Sequence, residues 1–129
     1  PLIEDVSMRV ARMYGMIMPG EDSTKAVRAV FVIDPTGTIR AIIYYPLSLG
    51  RNFDELLRAI KALQTADHFA VATPADWRPG DRVIVPPAGS CGTAEERMGG
   101  HVDGVECEDW FFCTKDIPAQ EVEAAIRGK

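Results

Sequence analysis

The sequence predicts an α/β fold, and three patterns carry that expectation. Apolar side chains at Ile3, Val6, Val10 and Met13 recur at helical spacing. Residues 26–45 hold two Val- and Ile-rich runs on either side of Asp34-Pro35-Thr36-Gly37-Thr38, a turn sequence. Phe53, Leu56, Leu57, Ile60 and Leu63 then restore a 3.6-residue period. At 129 residues and 47% apolar composition, the chain has the size and make-up of one globular domain.

Taken in order, the stripe over residues 3–14 predicts a helix, and Gly15 ends it. Pro19, Gly20, Asp22 and Ser23 mark a loop across 16–25. Residues 26–34 form a nearly continuous apolar run, as in a strand buried on both faces. Ile39 to Tyr45 is its hairpin partner, and Pro46 stops it. Asn52 is placed to cap the next helix, which runs to about Gln64 or as far as Phe69. Beyond residue 72 the chain becomes rich in Pro and Gly. A short strand at 82–85, a helical turn or two at 93–98, a hinge at Gly99-Gly100 and a terminal helix over 118–127 are expected, the last capped by Asp116. This poorly periodic stretch reads as an extended arm that wraps a neighbour.

Charge and cysteine content narrow the function classes. A net charge of −5 with no dense Lys/Arg face argues against nucleic acid as a partner. No apolar run approaches the ~20 residues that span a bilayer, and the amphipathic, acidic stretch at Pro1–Asp5 does not read as a signal peptide, so none is expected in this sequence. Three cysteines, Cys91, Cys107 and Cys113, lie in the last third of the chain. An odd count does not suit a secreted disulfide framework, so a reducing cytoplasmic setting is expected. With His101 the cysteines could hold Zn²⁺, but spacings of 10, 6 and 6 residues lack the short Cys-x-x-Cys elements of such sites. His68 and His101 have no catalytic partner in the sequence. No metal or cofactor is expected.

Several strings are more specific than this pattern. Arg28-Ala29-Val30-Phe31-Val32-Ile33-Asp34, Gly50-Arg51-Asn52-Phe53-Asp54-Glu55-Leu56-Leu57-Arg58, and Ala72-Thr73-Pro74-Ala75-Asp76-Trp77 with Pro79-Gly80-Asp81 after it resemble the C-terminal half of a peroxiredoxin. The likeness is to the archaeal and one-cysteine types, and it runs from about residue 5 to the C-terminus. It implies the C-terminal half of a thioredoxin-like fold over 1–70 and a C-terminal dimerisation arm over 71–129. It also implies a thiol peroxidase acting on hydrogen peroxide and alkyl hydroperoxides.

In that family the peroxidatic cysteine sits in a Pro-x-x-x-Thr-x-x-Cys motif, which this chain lacks; Cys91, after Pro86-Pro87-Ala88-Gly89-Ser90, has the wrong spacing. The resemblance, and a first residue that is Pro rather than Met, suggest a chain that begins partway through a longer protein. An N-terminal segment would then carry the peroxidatic cysteine, and the chain alone would be inactive.

The same resemblance assigns roles to four residues. Arg28 and Arg51 would stabilise a thiolate and polarise the peroxide. A free thiol titrates at about 8.5 and nearby cations favour its anion, while rigid, permanently charged guanidinium forks suit a developing oxyanion. Cys113 would resolve the sulfenic acid, and Cys107 would exchange with it. The acidic neighbours Glu106, Glu108 and Asp109 oppose thiolate formation at this pair. Trp110, Phe111 and Phe112 are expected to anchor the arm against a core, or alternatively to line a neighbouring subunit's peroxide pocket, moving aside when Cys113 reacts. A thiol reductant such as thioredoxin, and a homodimer assembling into a decamer, complete the expected partners. The rival class is a non-enzymatic oligomerisation or chaperone-like module in which the arginines only form salt bridges.

Overall fold

A computed structural model describes residues 1–20, 22, 24–100 and 102–127. The fold is α/β, as the sequence predicts, and it divides into two compact units, Pro1–Phe53 and Asp54–Lys129. The compositional change at residue 72 therefore lies inside the second unit.

The first unit holds α1 (Arg9–Met13), β1 (Arg28–Ile33) and β2 (Ile39–Tyr45). Helix α1 is shorter than the apolar stripe predicts. Met8 adopts a left-handed backbone, φ 58°, so the helix cannot extend back through it. Asp5 instead caps α1 from a distance, its carboxylate accepting from the amides of Val10 at 3.0 Å and Ala11 at 2.7 Å. Ile3 and Val6 consequently sit outside the helix, exposed. Gly15 ends α1 with φ +66°, as expected, and a Cβ there would lie 3.4 Å from the Tyr44 hydroxyl. That hydroxyl donates to the Tyr14 carbonyl at 2.6 Å. Phe31 stacks edge-on with both Tyr14 and Tyr44, which ties α1 to the hairpin.

Strands β1 and β2 pair antiparallel from Arg28↔Tyr45 to Ile33↔Ile39, with a register shift between Val32 and Ile33. Their turn is built by Asp34, whose Oδ1 accepts from the amides of Thr36 and Thr38 and from the Thr36 hydroxyl. Gly37 supplies the positive φ, +88°. The expectation that β1 is buried on both faces is not met within this chain. The sheet has two strands among the described residues, and β1 is half-buried along most of its length.

The second unit holds α2 (Phe53–Phe69), β3 (Val83–Val85), α3 (Cys91–Met98), β4 (Val105–Asp109), β5 (Phe112–Lys115) and α4 (Ala119–Arg127). Helix α2 starts directly after Asn52 and runs to Phe69, the longer of the two expected ends. Its buried positions are Leu56, Ala62 and Thr65, whereas Phe53 is 69% and Leu57 59% exposed. With Ile60 also exposed, three of the five positions of the apolar stripe are uncovered in this chain.

The arm contains more regular structure than its composition suggests. Strands β3, β5 and β4 form an antiparallel sheet in that order. Strand β4 reads Val-Glu-Cys-Glu-Asp, with Val105 and Cys107 turned inward and Glu106 and Glu108 outward. In that alternation the outward positions are Glu, and Asp109 follows, residues of low β-propensity, so composition hides the strand. A core of Ala62, Val71, Trp77, Val83, Ile117 and Val122 joins α2, the loop after it, β3 and α4. Trp77 is 1% exposed, and its indole N–H donates to the Asp81 carbonyl at 3.1 Å.

Two local expectations are corrected. Asp116 does not cap α4: it pairs with Arg82 at 3.4 Å, and the Pro118 carbonyl receives the amides of Glu121 and Val122. Of the three aromatics expected to anchor the arm, Trp110 and Phe111 lie exposed in the β4–β5 turn and do not pack into this chain's core, while Phe112 on β5 is half-buried. Trp77 is the anchoring aromatic. No helix among the described residues is long and apolar enough to cross a membrane.

Truncating Trp77 to Ala should lower the unfolding free energy by about 3–5 kcal/mol, read by urea denaturation. Trp110→Ala, at an exposed site, should change it by less than about 0.5 kcal/mol. Asp34 offers a second check. Its hydrogen bond from the Thr36 hydroxyl and the amides of Thr38 and Thr36 hold its carboxyl below the usual carboxylate range. A depressed folded pKa contributes stability above the unfolded value and loses it as pH falls through the folded value. Thermal melts should therefore show an acid-limb loss of stability that is smaller in Asp34→Asn, with the Thr36 and Thr38 amides shifting together in NMR titration.

Candidate active site

Arg28 and Arg51 both belong to the first compact unit. Arg28 is the first residue of β1, opposite Tyr45 at the end of β2. Its Nη1 donates to the carbonyl of Leu47, just past the point where Pro46 ends the strand. A turn from the Leu49 amide to the Pro46 carbonyl, 3.1 Å, closes the same loop. Four residues beyond Leu47 the chain reaches Arg51, immediately before Asn52 and α2. The Arg28 guanidinium thus fastens β1 to the segment that leads to Arg51. One N–H of a five-donor fork is committed to this bond, and the remaining donors can address an anion.

Arg28 is half-buried, whereas Arg51 is exposed. A cavity of about 230 Å³ in the same unit is lined by Met18, Val27, Tyr44, Tyr45 and Pro46, without Arg28.

Cys107 and Cys113 lie in the second unit and are joined by a disulfide. They face each other directly in the β4–β5 register, with Cα atoms 4.0 Å apart. Cys113, on the central strand, is 1% exposed; Cys107, on the edge strand, is half-buried. A register shift between Cys107 and Asp109 follows the bridge.

Cys91 is the free cysteine. It opens α3, whose N-terminus is capped by the Ser90 hydroxyl accepting from the Thr93 amide at 3.2 Å. Cys91 also lines a cavity of about 530 Å³ with Ala88, Gly89, Ser90, Ala94, Glu95 and Trp110. Sequence reasoning assigned Cys91 no role, and no spacing pattern would have revealed the cavity. His68 is exposed in the last turn of α2, edge-on to Phe69. His101 lies outside the described residues. Among the described residues no three His, Cys, Asp or Glu side chains gather as a metal-ligand set.

Comparison with known proteins supplies the frame for this geometry. The profile for the C-terminal domain of 1-Cys peroxiredoxin matches residues 62–99. A peroxiredoxin of Methanosarcina mazei is 52% identical over 115 residues, which cover 89% of this chain and 52% of that protein. The chain corresponds to the C-terminal portion of a peroxiredoxin. Peroxiredoxin 2 of Caldanaerobacter subterraneus is similar to a like degree, 50% identical over 91% of this chain and 52% of its own length. The chain spans about half the length of these relatives.

Solved structures agree. A cysteine-to-serine mutant of peroxiredoxin 6 from Arenicola marina superposes with a TM-score of 0.73 at 34% identity, covering 88% of this chain and 54% of that one. The yeast mitochondrial 1-Cys peroxiredoxin gives 0.68 at 36% identity, covering 85% of this chain and 53% of its own. The fold is thus the C-terminal portion of the thioredoxin-like peroxiredoxin fold, and the family is one of thiol peroxidases.

Without reductant, iodoacetamide should label Cys91 and leave Cys107 and Cys113 unmodified. After reduction all three should take label, Cys107 faster than Cys113. Peptide mass spectrometry reads both results, and labelling of Cys113 in the unreduced chain would refute the bridge.

Proposed function

We propose that this chain supplies the arginine half of a peroxidase site, together with the cysteines that resolve it. The observation that carries the reading is the bond from the Arg28 guanidinium to the Leu47 carbonyl. It ties the arginine-bearing strand to the loop leading to Arg51, within a chain half identical to peroxiredoxins. The peroxidatic cysteine belongs to an N-terminal segment outside this chain. Exposed Phe53 and Leu57 on α2, and the half-buried two-stranded sheet, are apolar surfaces that such a segment would cover.

In the proposed cycle a peroxidatic thiolate attacks one oxygen of hydrogen peroxide or an alkyl hydroperoxide. The O–O bond breaks, the cysteine becomes a sulfenic acid, and water or an alcohol leaves after taking a proton. Arg28 and Arg51 hold the thiolate and donate to the leaving oxygen as it gains charge. The Cys113 thiol then displaces water from the sulfenic acid, forming a disulfide. Cys107 attacks Cys113 in turn, frees the peroxidatic cysteine and leaves the Cys107–Cys113 bridge, the form this structure holds. Because Cys113 is 1% exposed, resolution requires β5 to open locally. A thiol reductant such as thioredoxin closes the cycle. A homodimer assembling into a decamer in the cytoplasm completes the reading.

Joining the chain to an N-terminal segment with the peroxidatic cysteine should give peroxide consumption. Arg28→Met and Arg51→Met should each cut kcat/KM by about 10²–10³, the usual effect of losing one oxyanion donor, with assembly unchanged by size-exclusion chromatography. Unchanged turnover in either variant would remove that arginine from the mechanism. Loss of assembly in both variants would favour a non-enzymatic oligomerisation or chaperone-like module.

A further inference from the structure

The two sulfurs of the Cys107–Cys113 bridge have different surroundings. Cys113 is on β5, flanked by Val85 of β3 on one side and Cys107 of β4 on the other, and is 1% exposed. Cys107 is on the outer strand of the sheet, half-buried, beside the register shift that follows it. Thiol–disulfide exchange proceeds by a thiolate reaching one sulfur while the other departs, so access decides which sulfur is struck. Cys113 is covered from solvent, so a thiolate reaches it only if its surroundings open, whereas the half-buried Cys107 presents part of its surface without such an opening.

We infer that the bridge is reduced in one direction: the reductant's thiolate attacks Cys107 Sγ, and Cys113 is the leaving group. This deepens the proposed peroxidase cycle and rests on it for its place in the reaction. The new S–S bond forms between the reductant and Cys107. The Cys107–Cys113 bond breaks, and its electron pair leaves on Cys113, which then takes a proton. If the reductant is a protein dithiol, its second thiolate attacks its own sulfur in the mixed disulfide. That step releases Cys107 as a thiolate and leaves the reductant oxidised. Cys107 is thus the docking cysteine for the reductant, and Cys113 is regenerated inside the sheet without touching it.

The test uses Cys91→Ser in the oxidised chain, so that no third thiol exchanges. A neutral monothiol, 2-mercaptoethanol, is added briefly, since an anionic thiol would be repelled by Glu108 and Asp109 next to Cys107. N-ethylmaleimide stops the reaction, and tandem mass spectrometry locates both groups. Mercaptoethanol on Cys107 with maleimide on Cys113 should exceed the reverse arrangement by about tenfold or more. Equal amounts, or the reverse arrangement in excess, would overturn the inference. So would a bridge that resists the monothiol, since Cys107 Sγ would then be closed to solvent. None of these outcomes bears on arginine-dependent peroxide consumption, so the two readings fail separately.

Discussion

Burial of Trp77 is the constraint on which the second unit depends. Its indole fills the space between α2, the loop after Val71, β3 and α4, and its N–H is satisfied by the Asp81 carbonyl. Two helices, a short strand and an irregular loop are held to one ring. Strand β3 is fixed by this core through Val83, and β3 in turn carries β5. The position of Cys113 is therefore a consequence of a tryptophan thirty-six residues earlier in the chain. Gly80 serves the same packing: with φ +103°, a Cβ there would press within 3.3 Å of the Ala119 side chain, just where α4 begins.

The first unit works on a different principle. Its regular structure is held less by a deep core than by specific polar contacts. Asp5 holds the start of α1, Asp34 holds the hairpin turn, Tyr44 ties β2 to the end of α1, and Arg28 ties β1 to the loop beyond β2. This division suits the proposed chemistry. Catalytic donors need orientation, which hydrogen bonds supply, and a resolving cysteine needs concealment, which a packed core supplies.

How much could be read from the sequence depended on which signal each residue carried. The hairpin over 28–45 was legible because Val, Ile and the Asp34–Gly37 turn agree at every level. Helix α2 was legible in extent and only in part in facing: Leu56 of the stripe is buried, Phe53 and Leu57 fit the period but are exposed, and the smaller Ala62 and Thr65 share the buried side. The β4–β5 hairpin was hidden because Glu106, Glu108 and Asp109 are poor strand formers, and its pairing is decided by Cys107 and Cys113 opposite each other. Helix α1 was overextended because the backbone at Met8 and the long-range cap from Asp5 leave no periodic trace. Arg28 and Arg51 were found through family strings rather than from periodicity, and the bond to the Leu47 carbonyl joins a side chain to a backbone atom that no motif records. The cavity beside Cys91 depends on where Trp110 turns, which a one-dimensional reading cannot supply.

The hairpin's pairing also bears on the order of events during folding. Its partners are close in sequence, from Ile33 with Ile39 to Arg28 with Tyr45, so its loops close at low entropic cost. Hairpins of this kind form in about 1–10 μs, although two strands alone are marginal in water. The register that places Arg28 opposite Tyr45 is thus set by local pairing, ahead of contacts that join distant parts of the chain.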